Sequence, residues 1–128
     1  MGIQDYLNNE FDPGIVEEFL MLLDVMEDTL DMTIERLYTD YEDTVNDLFR
    51  MFHNLKSATG FLKIKRIHNF AHFVEDVLDM AREKKEADEA LVDWLFKVAD
   101  QFHEWYKNIN RNEELAPLHP DIFKVPKF

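Results

Sequence analysis

The chain has 128 residues, no cysteine, 27 acidic against 14 basic side chains and a formal net charge of -13, with 46% hydrophobic residues. Such a chain is large enough for one domain with a packed core, and the missing thiols exclude disulfides, thiol catalysis and Cys-ligated metal sites. The acidic excess disfavours nucleic acid and anionic membrane surfaces as partners.

No apolar run approaches the roughly 20 residues of a membrane span, and the start, Met1-Gly2-Ile3-Gln4-Asp5-Tyr6, has neither a signal-peptide nor a myristoylation pattern. A cytoplasmic protein is the expectation. Between Ile15 and Ala116 there is one glycine and no proline, which reads as helices with short connections. Asp12-Pro13 starts the first helix, whose stripe is Ile15, Phe19, Leu22, Leu23, Met26, Leu30, Ile34 and Leu37. Thr39-Asp40-Tyr41-Glu42 has capping-box form and opens a second, carrying Val45, Leu48, Phe49, Phe52, Leu55, Thr59 and Leu62 and ending near Leu62. A third helix places Ile67, Phe70, Ala71, Val74, Leu78 and Ala81 inward. After the charged stretch 83–89, a fourth carries Leu91, Leu95, Val98, Phe102, Trp105 and Ile109. The fold class expected is all-α, an antiparallel four-helix bundle over residues 1–109. Residues 110–128 hold three prolines and read as an extended tail, either a linker or a strap on the bundle. There is no internal repeat or low-complexity tract.

Charge is uneven. Residues 1–49 carry a net -13, residues 50–66 carry +5 with no acid, and residues 67–128 carry -5. The basic island, Arg50, Lys56, Lys63, Lys65 and Arg66, suits an anion or an acidic partner surface. The plainer reading of Lys63, Lys65 and Arg66 is that cations favour helix C-termini.

On the second helix, His53, Lys56, Ser57 and Gly60 fall at i, i+3, i+4 and i+7 and share one strip beside the apolar stripe. A glycine inside a helix costs about 1 kcal/mol relative to alanine, and close approach of another surface would justify it. The segment His53-Asn54-Leu55-Lys56-Ser57-Ala58-Thr59-Gly60-Phe61-Leu62 resembles the signature of histidine-containing phosphotransfer (HPt) domains. His72 and Glu75, in Ala71-His72-Phe73-Val74-Glu75, stand where the amino-terminal phosphotransfer domain of chemotaxis histidine kinases has a histidine and a glutamate. The chain departs from that pattern at Ser57 and Lys63, where the family usually and commonly, respectively, has glycine.

The resemblance implies a phosphocarrier in a two-component relay. His53 is then the phosphoacceptor at Nε2, Glu75 holds Nδ1, His72 belongs to the same hydrogen-bonded network, and Lys56 lies near the phosphoryl oxygens. Independently of it, a carrier histidine needs a neutral exposed ring nitrogen, and a carboxylate on the other nitrogen fixes its tautomer. The chain has no phosphate-binding loop, so ATP and Mg²⁺ are expected on partners rather than as cofactors here. Those partners are a response-regulator receiver domain, with its aspartate, and a histidine kinase catalytic domain. Arg50, Lys63, Ser57 and Gly60 are the residues expected to meet a receiver. The alternative is a helical docking module, a degenerate HPt domain that binds receivers without accepting phosphoryl. His68 and His72, one turn apart near Glu75 and Asp76, have the spacing of a divalent-metal site but lack a further ligand, so no metal is expected. His103 and His119 have no supporting constellation and read as surface residues.

Overall fold

A computed structural model describes residues 2–127; Met1 and the last apolar residue of the tail, Phe128, lie outside the described residues. Four long helices make the body: α2 (Pro13–Glu35), α3 (Tyr41–Phe61), α4 (Lys65–Ala81) and α5 (Glu89–Asn110), preceded by a short α1 (Ile3–Glu10). Side-chain pairings give their directions. Tyr41, at the start of α3, donates its hydroxyl to the carbonyl of Ala81 at the end of α4, 2.8 Å away. Along α2 and α5, Asp24 meets Tyr106 while Asp31 meets His103. Each pair runs antiparallel, as the all-α reading expects.

The apolar stripes build one core. Leu23, Met26, Leu30 and Ile34 of α2, Leu48, Phe52 and Leu55 of α3, Phe70, Val74 and Leu78 of α4, and Val98, Phe102 and Trp105 of α5 are all buried. The Phe70 and Trp105 rings meet edge to face, centroids 4.9 Å apart, and Phe52 approaches Phe70 in the same way at 6.1 Å. Pro13 occupies the first turn of α2 after Asp12, as read from the sequence. The start of α3 differs: a 3₁₀ turn over Arg36–Tyr38 follows α2, Asp40 is the N-cap, and Thr39 turns its hydroxyl back to the Arg36 carbonyl. A side chain committed to the preceding turn cannot cap the next helix.

Helix α1 has no counterpart in the sequence reading. It is eight residues long, too short to form by itself, and its stability comes from the other end of the chain. Asn112 accepts the Asp5 N–H through its side-chain oxygen (3.2 Å), the Glu113 carbonyl accepts from Ile3 N–H (3.2 Å), and Gln4 donates to the Ile109 carbonyl (2.7 Å). Gly2 permits this: a Cβ there would stand 1.7 Å from the Asn112 carbonyl oxygen. Leu7 is fully buried, and Tyr6 donates to the Leu62 carbonyl at the end of α3, 2.9 Å away.

The described residues beyond α5 form a strap. Trp105 and Trp94 donate their indole N–H groups to the carbonyls of Ala116 (2.8 Å) and Ile122 (2.9 Å). Arg66 reaches the Leu115 carbonyl at 2.6 Å, and Gln101 accepts the His119 N–H at 2.7 Å. A 3₁₀ turn, Pro120–Phe123, then buries Ile122 against the bundle. Of the two readings left open for the tail, the strap describes these residues.

Candidate functional site

Helix α3 ends in a Schellman turn: Lys63 N–H returns to the Gly60 carbonyl (3.3 Å) and Ile64 N–H to the Thr59 carbonyl (2.9 Å). Lys63 takes φ 57° to do so, the left-handed region that favours glycine. The turn lays α4 back along α3, and α4 starts at Lys65. Lys65 and Arg66 therefore sit at a helix N-terminus, so the C-terminal preference of cations accounts for Lys63 alone.

Across this hairpin, Glu75 of α4 is buried and faces the polar strip of α3. Its Oε2 accepts from His53 Nδ1 at 2.7 Å and its Oε1 from Lys56 Nζ at 2.6 Å. Burial pushes the Glu75 carboxyl up, but the hydrogen bonds and charges of Lys56 and His53 outweigh it and hold the group below the ordinary carboxylate range. An ionised carboxylate only accepts, so His53 Nδ1 carries the hydrogen and the neutral ring keeps its lone pair on Nε2. The His53 side chain is 51% exposed, and its Nε2 has no hydrogen-bond partner among the described residues. Nε2 is left unbonded on a half-exposed ring while Nδ1 is pinned.

The remaining residues read from the sequence divide. Ser57 is exposed and, with Ile15, Phe19, Leu22, Asn54 and Phe61, lines a groove between α2 and α3 beside the histidine. Arg50 is exposed and pairs with Asp47 at 2.8 Å, while Lys63 is exposed in its turn. His72 lies outside the Glu75 network, contrary to expectation: it is exposed, and its nearest acid is Asp76, 3.7 Å from Nε2. At about 100° per residue, position 72 is rotated some 60° from Glu75 toward solvent, whereas position 68 falls within about 20° of it.

His68 therefore reaches α3. Its Nδ1 bonds the Lys56 carbonyl at 2.8 Å, and its ring lies on Gly60, where a Cβ would stand 3.0 Å from Nδ1. The close surface that excuses a glycine in α3 is the protein's own α4. Phe49 and Arg82 were also not read as site residues. The Phe49 ring lies parallel to the His53 imidazole, centroids 6.2 Å apart, and the Arg82 guanidinium stacks 3.7 Å from its centroid. Phe49 stands one turn before His53, a spacing that could have placed it there. Among the described residues there is no cluster of three or more His, Asp or Glu side chains arranged to hold a metal.

The Hpt domain family model matches residues 21–112. The chain belongs to the Hpt domain family. Similar curated proteins are the Chemotaxis protein CheA of Cereibacter sphaeroides, 34% identical over 100 residues (77% of this chain, 14% of that protein), and that of Borreliella burgdorferi, 33% identical over 105 residues (81% and 12%). The Chemotaxis protein CheA of Treponema pallidum is 33% identical over 104 residues, 78% of this chain and 13% of its own. The chain thus spans about an eighth of the length of these relatives. No solved structure gives a significant match. Both the His53 and Glu75 segments of this Hpt domain lie inside the matched residues, whereas α1 and the strap from Glu113 onward lie outside them. No helix among the described residues is long and apolar enough to cross a membrane.

Proposed function

We propose that this Hpt domain is a phosphocarrier that takes and gives a phosphoryl group at His53 Nε2. The observation that carries the reading is the pairing of His53 Nδ1 with the buried Glu75 carboxylate, which leaves Nε2 exposed as the nucleophile. In the forward step the Nε2 lone pair forms the P–N bond. The P–O bond to the donor breaks, with its electron pair leaving on a receiver aspartate carboxylate or on the β-phosphate of a nucleotide held by a kinase catalytic domain. The ring gains positive charge as the bond forms, and Glu75, already hydrogen-bonded to Nδ1–H, stabilises that charge without rearrangement. Lys56 has three N–H donors and spends one on Glu75, so its ammonium can also follow the phosphoryl oxygens. The reverse step returns the phosphoryl group to a receiver aspartate. Mg²⁺ and most of the in-line positioning belong to the partner.

The test follows acid-labile, base-stable label from a phosphorylated receiver, and from a chemotaxis-type kinase core with ATP, onto wild type and His53→Gln. Label on wild type alone is expected. A folded wild type that binds a receiver yet takes no label from either donor would replace this reading with the docking module.

A further inference from the structure

Lys56 is held by α4 at both of its ends. Glu75 takes its ammonium, and His68, seven residues earlier on α4, takes its backbone carbonyl. A carbonyl only accepts, so His68 Nδ1 carries the hydrogen. Seven residues are about two turns, which sets His68 and Glu75 on one face of α4 roughly 10.5 Å apart along the axis. The contact also requires Gly60. A Cβ there would lie 3.0 Å from His68 Nδ1 and 3.1 Å from Cε1, inside the roughly 3.5–4.0 Å of an ordinary carbon contact, so the ring would have to retreat from the Lys56 carbonyl.

We propose that His68 is a positioning residue: by clasping α4 onto α3 at Gly60 and the Lys56 carbonyl, it sets the register in which Glu75 meets His53 Nδ1. The functional part of this inference rests on the phosphocarrier reading of His53. The clasp stands beside two other polar ties between these helices near the site, His53–Glu75 and Lys56–Glu75, and differs from both in not involving Glu75. A shift of α4 by about 1 Å, small enough for side chains of the apolar seam to absorb, would take the 2.7 Å hydrogen bond beyond bonding distance. A neutral His68 with Nδ1–H and an imidazolium both donate from Nδ1, so the clasp survives protonation of His68.

The decisive readout is the tautomer of His53, from its imidazole ¹⁵N shifts in the full chain. Wild type is expected to hold the Nδ1–H form. His68→Ala and Gly60→Ala should each shift the population toward the Nε2–H form and slow labelling of His53 about tenfold, the scale of a small misplacement of a catalytic group. His68→Asn, whose side-chain amide nitrogen stands where Nδ1 was, should restore both. In a His68→Ala background Gly60→Ala should add nothing, since the ring it displaces is gone. An unchanged His53 tautomer in the single variants overturns the proposal, whatever the labelling rate. Should His68→Ala fail to fold, Gly60→Ala against wild type carries the same decision. Because the tautomer needs no phosphoryl donor, a wild type that takes no label would sink the carrier reading while the shifts still decide the clasp.

Discussion

Glu75 does two things at once: it neutralises Lys56 and it chooses the His53 tautomer. Glu75→Gln keeps the shape but can present either an acceptor or a donor to Nδ1, so the tautomer is no longer dictated. Labelling of His53 is expected to fall about 10²-fold with the fold retained, measured as initial rate from a fixed donor. Lys63 is a different case, since its left-handed backbone costs a non-glycine residue about 1–2 kcal/mol. Lys63→Gly should raise unfolding free energy by about 1 kcal/mol in urea, an outcome read independently of any loss of partner affinity. His53 and Lys56 were legible in the sequence because a helical strip and a family signature both pointed to them, and Glu75 because the family signature places a glutamate at its position. His68 was not. Its role depends on which way α4 faces, and spacing shows this only after Glu75 is known to point at α3.

The helices were legible where they carry their own reasons: apolar residues at helical spacing, Pro13 after Asp12, and an uninterrupted stretch free of proline. Elements that borrow stability from distant residues were not. Helix α1 depends on Asn112 and Ile109, more than a hundred residues away, and the strap depends on two indoles of α5. The strap also makes residues 115–123 part of the folded unit rather than a loose linker. Ile122→Ala is expected to cost about 2–5 kcal/mol, checked by urea unfolding, because the side chain is buried and the turn that carries it leaves a cavity when truncated. The His53 tautomer should be unaffected, since the strap packs on α4 and α5 away from the His53–Glu75 pair.

Charge distribution gives the molecule a pH response with two separate origins. His103, read from the sequence as an unsupported surface residue, bridges α5 to α2: Nδ1 meets Glu27 at 2.5 Å and Nε2 meets Asp31 at 2.9 Å. Burial alone would lower its pKa, but the hydrogen bonds and charges of Asp31 and Glu27 prevail and raise it above the ordinary histidine value. A raised folded value means that the bridge contributes fully below pH of about 6.5 and is lost as pH climbs through the folded pKa. Glu75 has the opposite sign: its folded value is lowered, so its contribution is present above about pH 4.5 and is lost on acidification through the folded pKa. Urea midpoints measured across about pH 2–9 should therefore fall on both sides in wild type, and His103→Gln should flatten the alkaline limb while leaving the acid limb in place.

Local chemistry written along the chain was enough to establish a helical bundle, a histidine strip on one of its helices and an acidic protein with a basic island. Periodicity needs only near neighbours, and helices of 17 to 23 residues repeat it over several turns. Tertiary structure decided the partners. It turned His72 outward and His68 inward, spent Lys56 on Glu75 and Arg66 on the strap, and gave His103 two carboxylates from another helix. These outcomes depend on the rotation and register of one helix against another. The core sets both to within about an ångström through the fit of Phe52, Phe70 and Trp105, a many-body packing condition that no single stretch of sequence contains, and polar ties between α3 and α4 act within that margin.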